Sequence, residues 1–128
     1  VCTIYCATGN PIKVLIVEDE ELLCKVYSAT LSEHGYIVFT ANDGKTALDL
    51  FKKEAPDLVI LDIKLPEITG TKLLEEIRKI NSDVPIIIIS AYDSFRTDYE
   101  VWASQVSDYI VKPVKLDELL TKIKKILG

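Results

Sequence analysis

The chain has 128 residues, a length typical of one domain, and 48% of them are hydrophobic, which excludes a disordered polymer and admits a sizeable core. Its 20 acidic and 15 basic residues give a formal charge of −5, the reverse of the balance expected of a free-standing nucleic-acid binder. No apolar stretch approaches a membrane span, no signal-peptide pattern opens the chain, and Cys2, Cys6 and Cys24 are too few for a disulfide scaffold, so a cytoplasmic protein is expected.

In chain order, residues 1–11 form an arm that reads as a linker, a tag remnant or an extra strand. Cys2, Ile4 and Cys6 alternate with other residues there, and Thr8-Gly9-Asn10-Pro11 reads as a turn. Cys2 and Cys6 lack the second half of a zinc motif. From residue 12 to 128 the pattern is that of one domain in which strand-length apolar runs alternate with helix-period segments. The first strand is Ile12–Val17, followed by a helix from near Glu20 to before Gly35. A second strand at Tyr36–Thr40 leads to a helix starting behind Asn42-Asp43, either of which suits an N-cap. The third strand is Leu58–Leu61, and the helix after it spans about Thr69–Ile80, with Leu73, Leu74 and Ile77 facing inward. Ile86–Ile89 is the fourth strand, and Ser94–Val106 is the least regular helix candidate. After a last strand at Tyr109–Val111, the final helix carries Leu116, Leu119, Leu120, Ile123 and Leu127 on one stripe.

The runs in the first, third and fourth strands are apolar on both faces, which marks strands covered by helices on both sides of a parallel sheet. The second and last are less apolar, as edge strands are. Five successive βα units therefore predict an α/β, doubly wound five-stranded parallel sheet. In such sheets ligands bind beyond the carboxyl ends of the strands.

Those ends carry Glu18 and Asp19 after the first strand, Asp62 after the third, Ser90 after the fourth and Lys112-Pro113 after the last. Taken singly, an acid ahead of a helix is a cap, a Ser is a loop group and a Lys is a solvated surface residue. Asp62 resists that reading, because a charge seldom ends a buried strand without a partner. Together they place three carboxylates, one hydroxyl and one ammonium on one rim. The carboxylates repel unless a cation sits among them, and an all-oxygen donor set suits Mg²⁺. A Lys and a hydroxyl opposite such an ion suit phosphoryl transfer, with Asp62 as acceptor.

The set Glu18-Asp19, Asp62 within Asp62-Ile63-Lys64-Leu65-Pro66-Glu67-Ile68-Thr69-Gly70, Ser90-Ala91 and Lys112-Pro113 resembles the receiver domain of two-component response regulators, and the resemblance spans about Ile12 to Leu127. It implies a flavodoxin-like (βα)5 fold with strand order 2-1-3-4-5. It implies that Asp62 accepts a phosphoryl group from a sensor histidine kinase, a histidine phosphotransfer protein or a small acyl phosphate. Mg²⁺, or Mn²⁺ in its place, would be held by Asp19, Asp62 and the backbone carbonyl of Lys64, with Glu18 acting mainly through water. Lys112 and the backbone of Ala91 would meet the phosphoryl oxygens, Ser90 and Tyr109 would act as the switch, and Lys112–Pro113 would be a cis peptide. Lys64 and Tyr92 stand where the family tunes dephosphorylation, and their bulk predicts a persistent phosphoryl group. Such a domain is a phosphoacceptor that assists its own phosphorylation and dephosphorylation, and not otherwise an enzyme.

The chain departs from the family pattern at Gln105-Val106, where Gly-Ala is usual, at Asp98, and in the large Tyr99 and Trp102. These fall on the face of residues 94–106, the last strand and the last helix, the usual output surface of the family the chain resembles, so an unusual output partner or an unusual geometry of the 94–106 helix is expected, with no direct contact to nucleic acid or membrane. His34 ends the first helix and makes no case for an internal phosphohistidine donor. The alternatives fare worse. An aspartyl-nucleophile phosphohydrolase wants a second acid where Lys64 stands, and a flavin carrier wants a phosphate loop where the acids stand. A phosphorylation-independent interaction module on the same fold would show loss of an acceptor, metal or Lys position. No output domain is visible, so a stand-alone regulator and a receiver excised from a larger protein both stay open.

Overall fold

A computed structural model describes residues 12–62, 70–90, 107–111 and 114–127. Five parallel strands, β1 (Lys13–Val17), β2 (Ile37–Ala41), β3 (Leu58–Asp62), β4 (Ile86–Ser90) and β5 (Asp108–Val111), form one sheet in the order β2-β1-β3-β4-β5. The described helices are α1 (Glu21–Glu33), α2 (Gly44–Glu54), α3 (Gly70–Ile80) and α4 (Leu116–Leu127). The arm of residues 1–11 and the expected helix at Ser94–Val106, with Asp98, Tyr99, Trp102 and Gln105-Val106, lie outside the described residues.

Two apolar layers follow from the alternation of side chains along each strand. On one face Leu15, Val17, Val59, Leu61, Ile86 and Ile88 pack with Phe51 of α2 and Leu73, Leu74 and Ile77 of α3. On the other, Val14, Ile16, Leu58, Ile60, Ile87 and Ile89 pack with Tyr27 and Leu31 of α1 and Leu119 and Ile123 of α4. Each fully buried aliphatic side chain contributes about 1.5–3 kcal/mol relative to exposure. That is why the runs Val14–Val17 of β1, Leu58–Leu61 of β3 and Ile86–Ile89 of β4 are apolar without a break. β2, at one edge, buries only Ala41 fully and leaves Ile37 and Thr40 exposed.

Three strands run one residue further than the sequence pattern predicts, β2 to Ala41, β3 to Asp62 and β4 to Ser90. Asp62 pairs with Ile89 and Ser90 with Val111, so both belong to the ladder and not to the loops behind it. A hydropathy pattern stops at the first polar side chain, whereas the backbone keeps its hydrogen bonds. β5 likewise begins at Asp108, whose side chain accepts a 2.8 Å hydrogen bond from Lys122 Nζ and ties α4 to the sheet.

Helix ends are set locally. After α1, Gly35 takes a φ of 92°, its N–H donates to Ser32 O (3.1 Å) and the Tyr36 N–H to Leu31 O (3.2 Å). That paired arrangement needs a residue tolerant of positive φ, and Gly is the least hindered. α2 begins at Asp43, whose Oδ1 accepts from the Thr46 N–H at 2.8 Å.

The Thr46 N–H, with smaller help from Lys45, holds the Asp43 carboxyl below its ordinary value. A depressed carboxyl adds stability above its unfolded pKa, near 4, and loses it as the pH falls through the folded value. Asn caps a helix as well as Asp but does not titrate. The melting temperature of wild type minus that of Asp43→Asn should therefore be constant above about pH 5. It should fall as the pH drops through the carboxylate range, and parallel melting curves from pH 7 to 3 check this.

Candidate functional site

The register places the ends of β1 and β3 side by side: Val17 pairs with Leu61, so Glu18 and Asp62 are the next residues on adjacent strands. Both are buried, Glu18 at 1% and Asp62 at 4% exposure, although both are acids. Asp19, exposed in the turn ahead of α1, completes a group in which one carboxylate oxygen from each residue lies within 4.8 Å of the other two.

Glu18 is fixed from several sides. Its N–H extends the sheet ladder to Ala41 O (3.0 Å), and its Oε1 accepts from the Glu20 N–H (3.3 Å). Its own carbonyl oxygen accepts from Asn42 Nδ2 at 3.5 Å. Three carboxylates so close, two of them shielded from water, make a negative pole that a small hard cation relieves. Oxygen donors without sulfur or imidazole favour Mg²⁺ or Mn²⁺ over softer metals, so the donor set fits. Cys24, the cysteine among the described residues, is buried in α1, and that burial pushes its thiol up, away from the reactive thiolate.

Of the remaining residues singled out from the sequence, Ser90 is the last residue of β4 and Tyr109 the second of β5, paired with Ile88. Lys64, Ala91, Tyr92, Lys112 and Pro113 lie outside the described residues. The end of β2 was missed at the rim. Its charge-free Asn42 gave no sign by itself, but in a 2-1-3-4-5 sheet β2 adjoins β1, so the residue after β2 must border Glu18. Once the strand order is assumed, that neighbour can be read directly.

The strand order and this acidic rim are those of a flavodoxin-like α/β domain with its ligand site beyond the strand ends. Residues 14–124 match the family described as the response regulator receiver domain, and the chain belongs to that family. It is 44% identical over 115 residues to the probable transcriptional regulator ycf27 of Guillardia theta, covering 90% of this chain and 45% of that protein. It is 36% identical over 115 residues to the regulatory protein AtoC of Escherichia coli, covering 90% of this chain and 25% of that one. The chain thus spans about half or less of the length of the curated relatives it matches.

Among solved structures, a CheY-like response regulator receiver domain protein from Methanospirillum hungatei superposes with a TM-score of 0.86 at 32% identity, covering 91% of this chain and 93% of that one. The response regulator protein TrrA from Thermotoga maritima, solved in complex with Mg²⁺-BeF, gives 0.84 at 40% identity, covering 91% of this chain and 99% of that one. No described helix is long and apolar enough to cross a membrane.

Proposed function

We propose that the chain is a phosphoacceptor switch in which Asp62 takes a phosphoryl group from the phosphohistidine of a sensor kinase or phosphotransfer protein, or from a small acyl phosphate. The observation that carries this reading is a buried carboxylate at the end of the central strand, facing two more carboxylates across the β1–β3 pair. Three carboxylates brought this close repel one another, and a divalent cation among them offsets that repulsion.

In the transfer an Asp62 carboxylate oxygen bonds to phosphorus. The phosphorus–nitrogen bond to the donor imidazole, or the phosphorus–oxygen bond of an acyl phosphate, breaks with its electron pair leaving on the donor. Mg²⁺ held by Asp19, Asp62 and the Lys64 carbonyl, with Glu18 behind it, would neutralise the developing charge on the phosphoryl oxygens; that TrrA was solved with Mg²⁺-BeF supports the choice of ion. Lys112, Ser90 and the Ala91 N–H would hold the remaining phosphoryl oxygens. The added charge of about −1.5 to −2 then biases Ser90 and Tyr109 between two arrangements. The output face is that of residues 94–106, β5 and α4, acting on a partner or a fused effector; relatives named as transcriptional regulators support the second. Lys64 and Tyr92 would shield the acyl phosphate from water and lengthen its life. The domain works in the cytoplasm and turns over no substrate beyond its own phosphoryl group.

The test is intact-protein mass spectrometry after incubation with acetyl phosphate. Wild type should gain one phosphoryl mass with Mg²⁺ present and little without it, and Asp62→Asn should gain none. Equal labelling of the two proteins would remove Asp62 from the acceptor role.

A further inference from the structure

Asn42 sits outside the acid group and carries no charge. The α2 cap is Asp43, so the Asn42 side chain is not engaged at that helix start, and its amide turns to the neighbouring strand end. The last residue of β2 and the residue after it thereby hold both polar groups of the Glu18 backbone: Ala41 O takes the N–H, and Asn42 Nδ2 donates to the carbonyl oxygen. That carbonyl belongs to the same planar peptide as the Asp19 nitrogen, so fixing it orients the backbone from which Asp19 projects. Asp19 is exposed and is the member of the group least constrained by packing. Glu18, by contrast, is buried and its Oε1 is also tied to the Glu20 N–H.

We infer that Asn42 is a positioning residue for the divalent cation, setting the affinity of the Glu18–Asp19–Asp62 group by locking the Glu18–Asp19 peptide without touching the ion. The inference rests on the metal site proposed above. Partners one step removed from metal ligands change affinity by about 10–100-fold when deleted. The long 3.5 Å bond at an exposed amide puts Asn42 at the low end of that range. An exposed side chain with one long bond has little else to hold together, so the fold should not depend on it.

The experiment is calorimetric titration of MgCl2 into wild type, Asn42→Ala and Asp19→Asn, with metal-free melting curves and the amide nitrogen resonance of Asp19 followed by NMR. Asn42→Ala should weaken Mg²⁺ binding about 10-fold, keep the metal-free melting temperature of wild type and shift the Asp19 nitrogen resonance. Asp19→Asn should lose binding. Wild-type affinity in Asn42→Ala, beside lost binding in Asp19→Asn, overturns the positioning role and leaves the metal site standing. Weaker binding with an equally lowered metal-free melting temperature also overturns it, since the residue would then be holding the fold. Wild-type binding in Asp19→Asn refutes the metal site itself.

Discussion

Asp62→Asn is expected to melt several degrees above wild type in metal-free buffer and to lose most of the stabilisation that Mg²⁺ gives wild type. One oxygen from each of Glu18, Asp19 and Asp62 lies within 4.8 Å of the other two. At an effective dielectric near 20, two unit charges at that distance repel by roughly 3 kcal/mol, a ceiling that exposure of Asp19 and added salt both lower. Replacing the acceptor by its neutral isostere removes two of the three repulsive pairs and leaves the volume unchanged. For a domain of this size about 1 kcal/mol corresponds to roughly 3–6 °C in melting temperature. The same substitution removes a ligand. A site-binding ion at 100 times its Kd stabilises the folded state by about 2.7 kcal/mol, and that increment should collapse in the variant. Scanning calorimetry of both proteins with chelator and with saturating MgCl2 gives all four numbers. A variant that melts lower than wild type without metal and still gains the full increment with it would deny the cluster both repulsion and metal.

The second large effect lies beneath the rim. Ile60, at 1% exposure in the middle of the central strand, packs in the layer with α1 and α4. Truncation to Ala in such a place costs about 2–5 kcal/mol, the removed methylenes plus the cavity they leave. Native domains hold only about 5–15 kcal/mol in all, so Ile60→Ala should lose about a third of the stability at mid-range values. Ile37 has the same side chain on the edge strand β2 but is 36% exposed. Ile37→Ala should cost less than half as much, because part of that surface already faces water. Urea titrations of the pair measure both, and equal losses would contradict the contrast between central and edge strands.

Both predictions use features visible in the sequence to different degrees. Val14-Leu15-Ile16-Val17 and Leu58-Val59-Ile60-Leu61 announce doubly covered strands, and the sheet has them at its centre. Tyr36–Thr40 reads as an edge, and β2 is one. Strand order is different: no hydropathy pattern encodes which parallel strand lies beside which, and here it came through resemblance. The convergence of Glu18, Asp19 and Asp62 follows from topology, since parallel strands send their carboxyl ends to one rim. The contribution of β2 did not show, because Asn42 acts through a neighbour's backbone and leaves no charge or period to notice. The choice between Asn42 and Asp43 as helix cap was also open in the sequence. The structure settles it through the Thr46 N–H, and that choice is what leaves the Asn42 amide for Glu18.

β3 has one more property. Leu58, Val59, Ile60 and Leu61 are apolar without alternation, so sliding the strand by one residue would exchange one greasy face for another at little cost in polarity. The strand's interior therefore says almost nothing about where it should stop. That information sits at its two ends. At the lower end Asp57 grips Lys13 twice, its N–H donating to Lys13 O and its Oδ2 accepting from the Lys13 N–H, both at 2.8 Å. At the upper end stands Asp62, which a slip of one residue would drag into the hydrocarbon layer or lift off the rim. The carboxylate proposed to carry the signal thus also serves as the end-stop of the central strand, and alignment of the sheet and placement of the acceptor are one and the same decision.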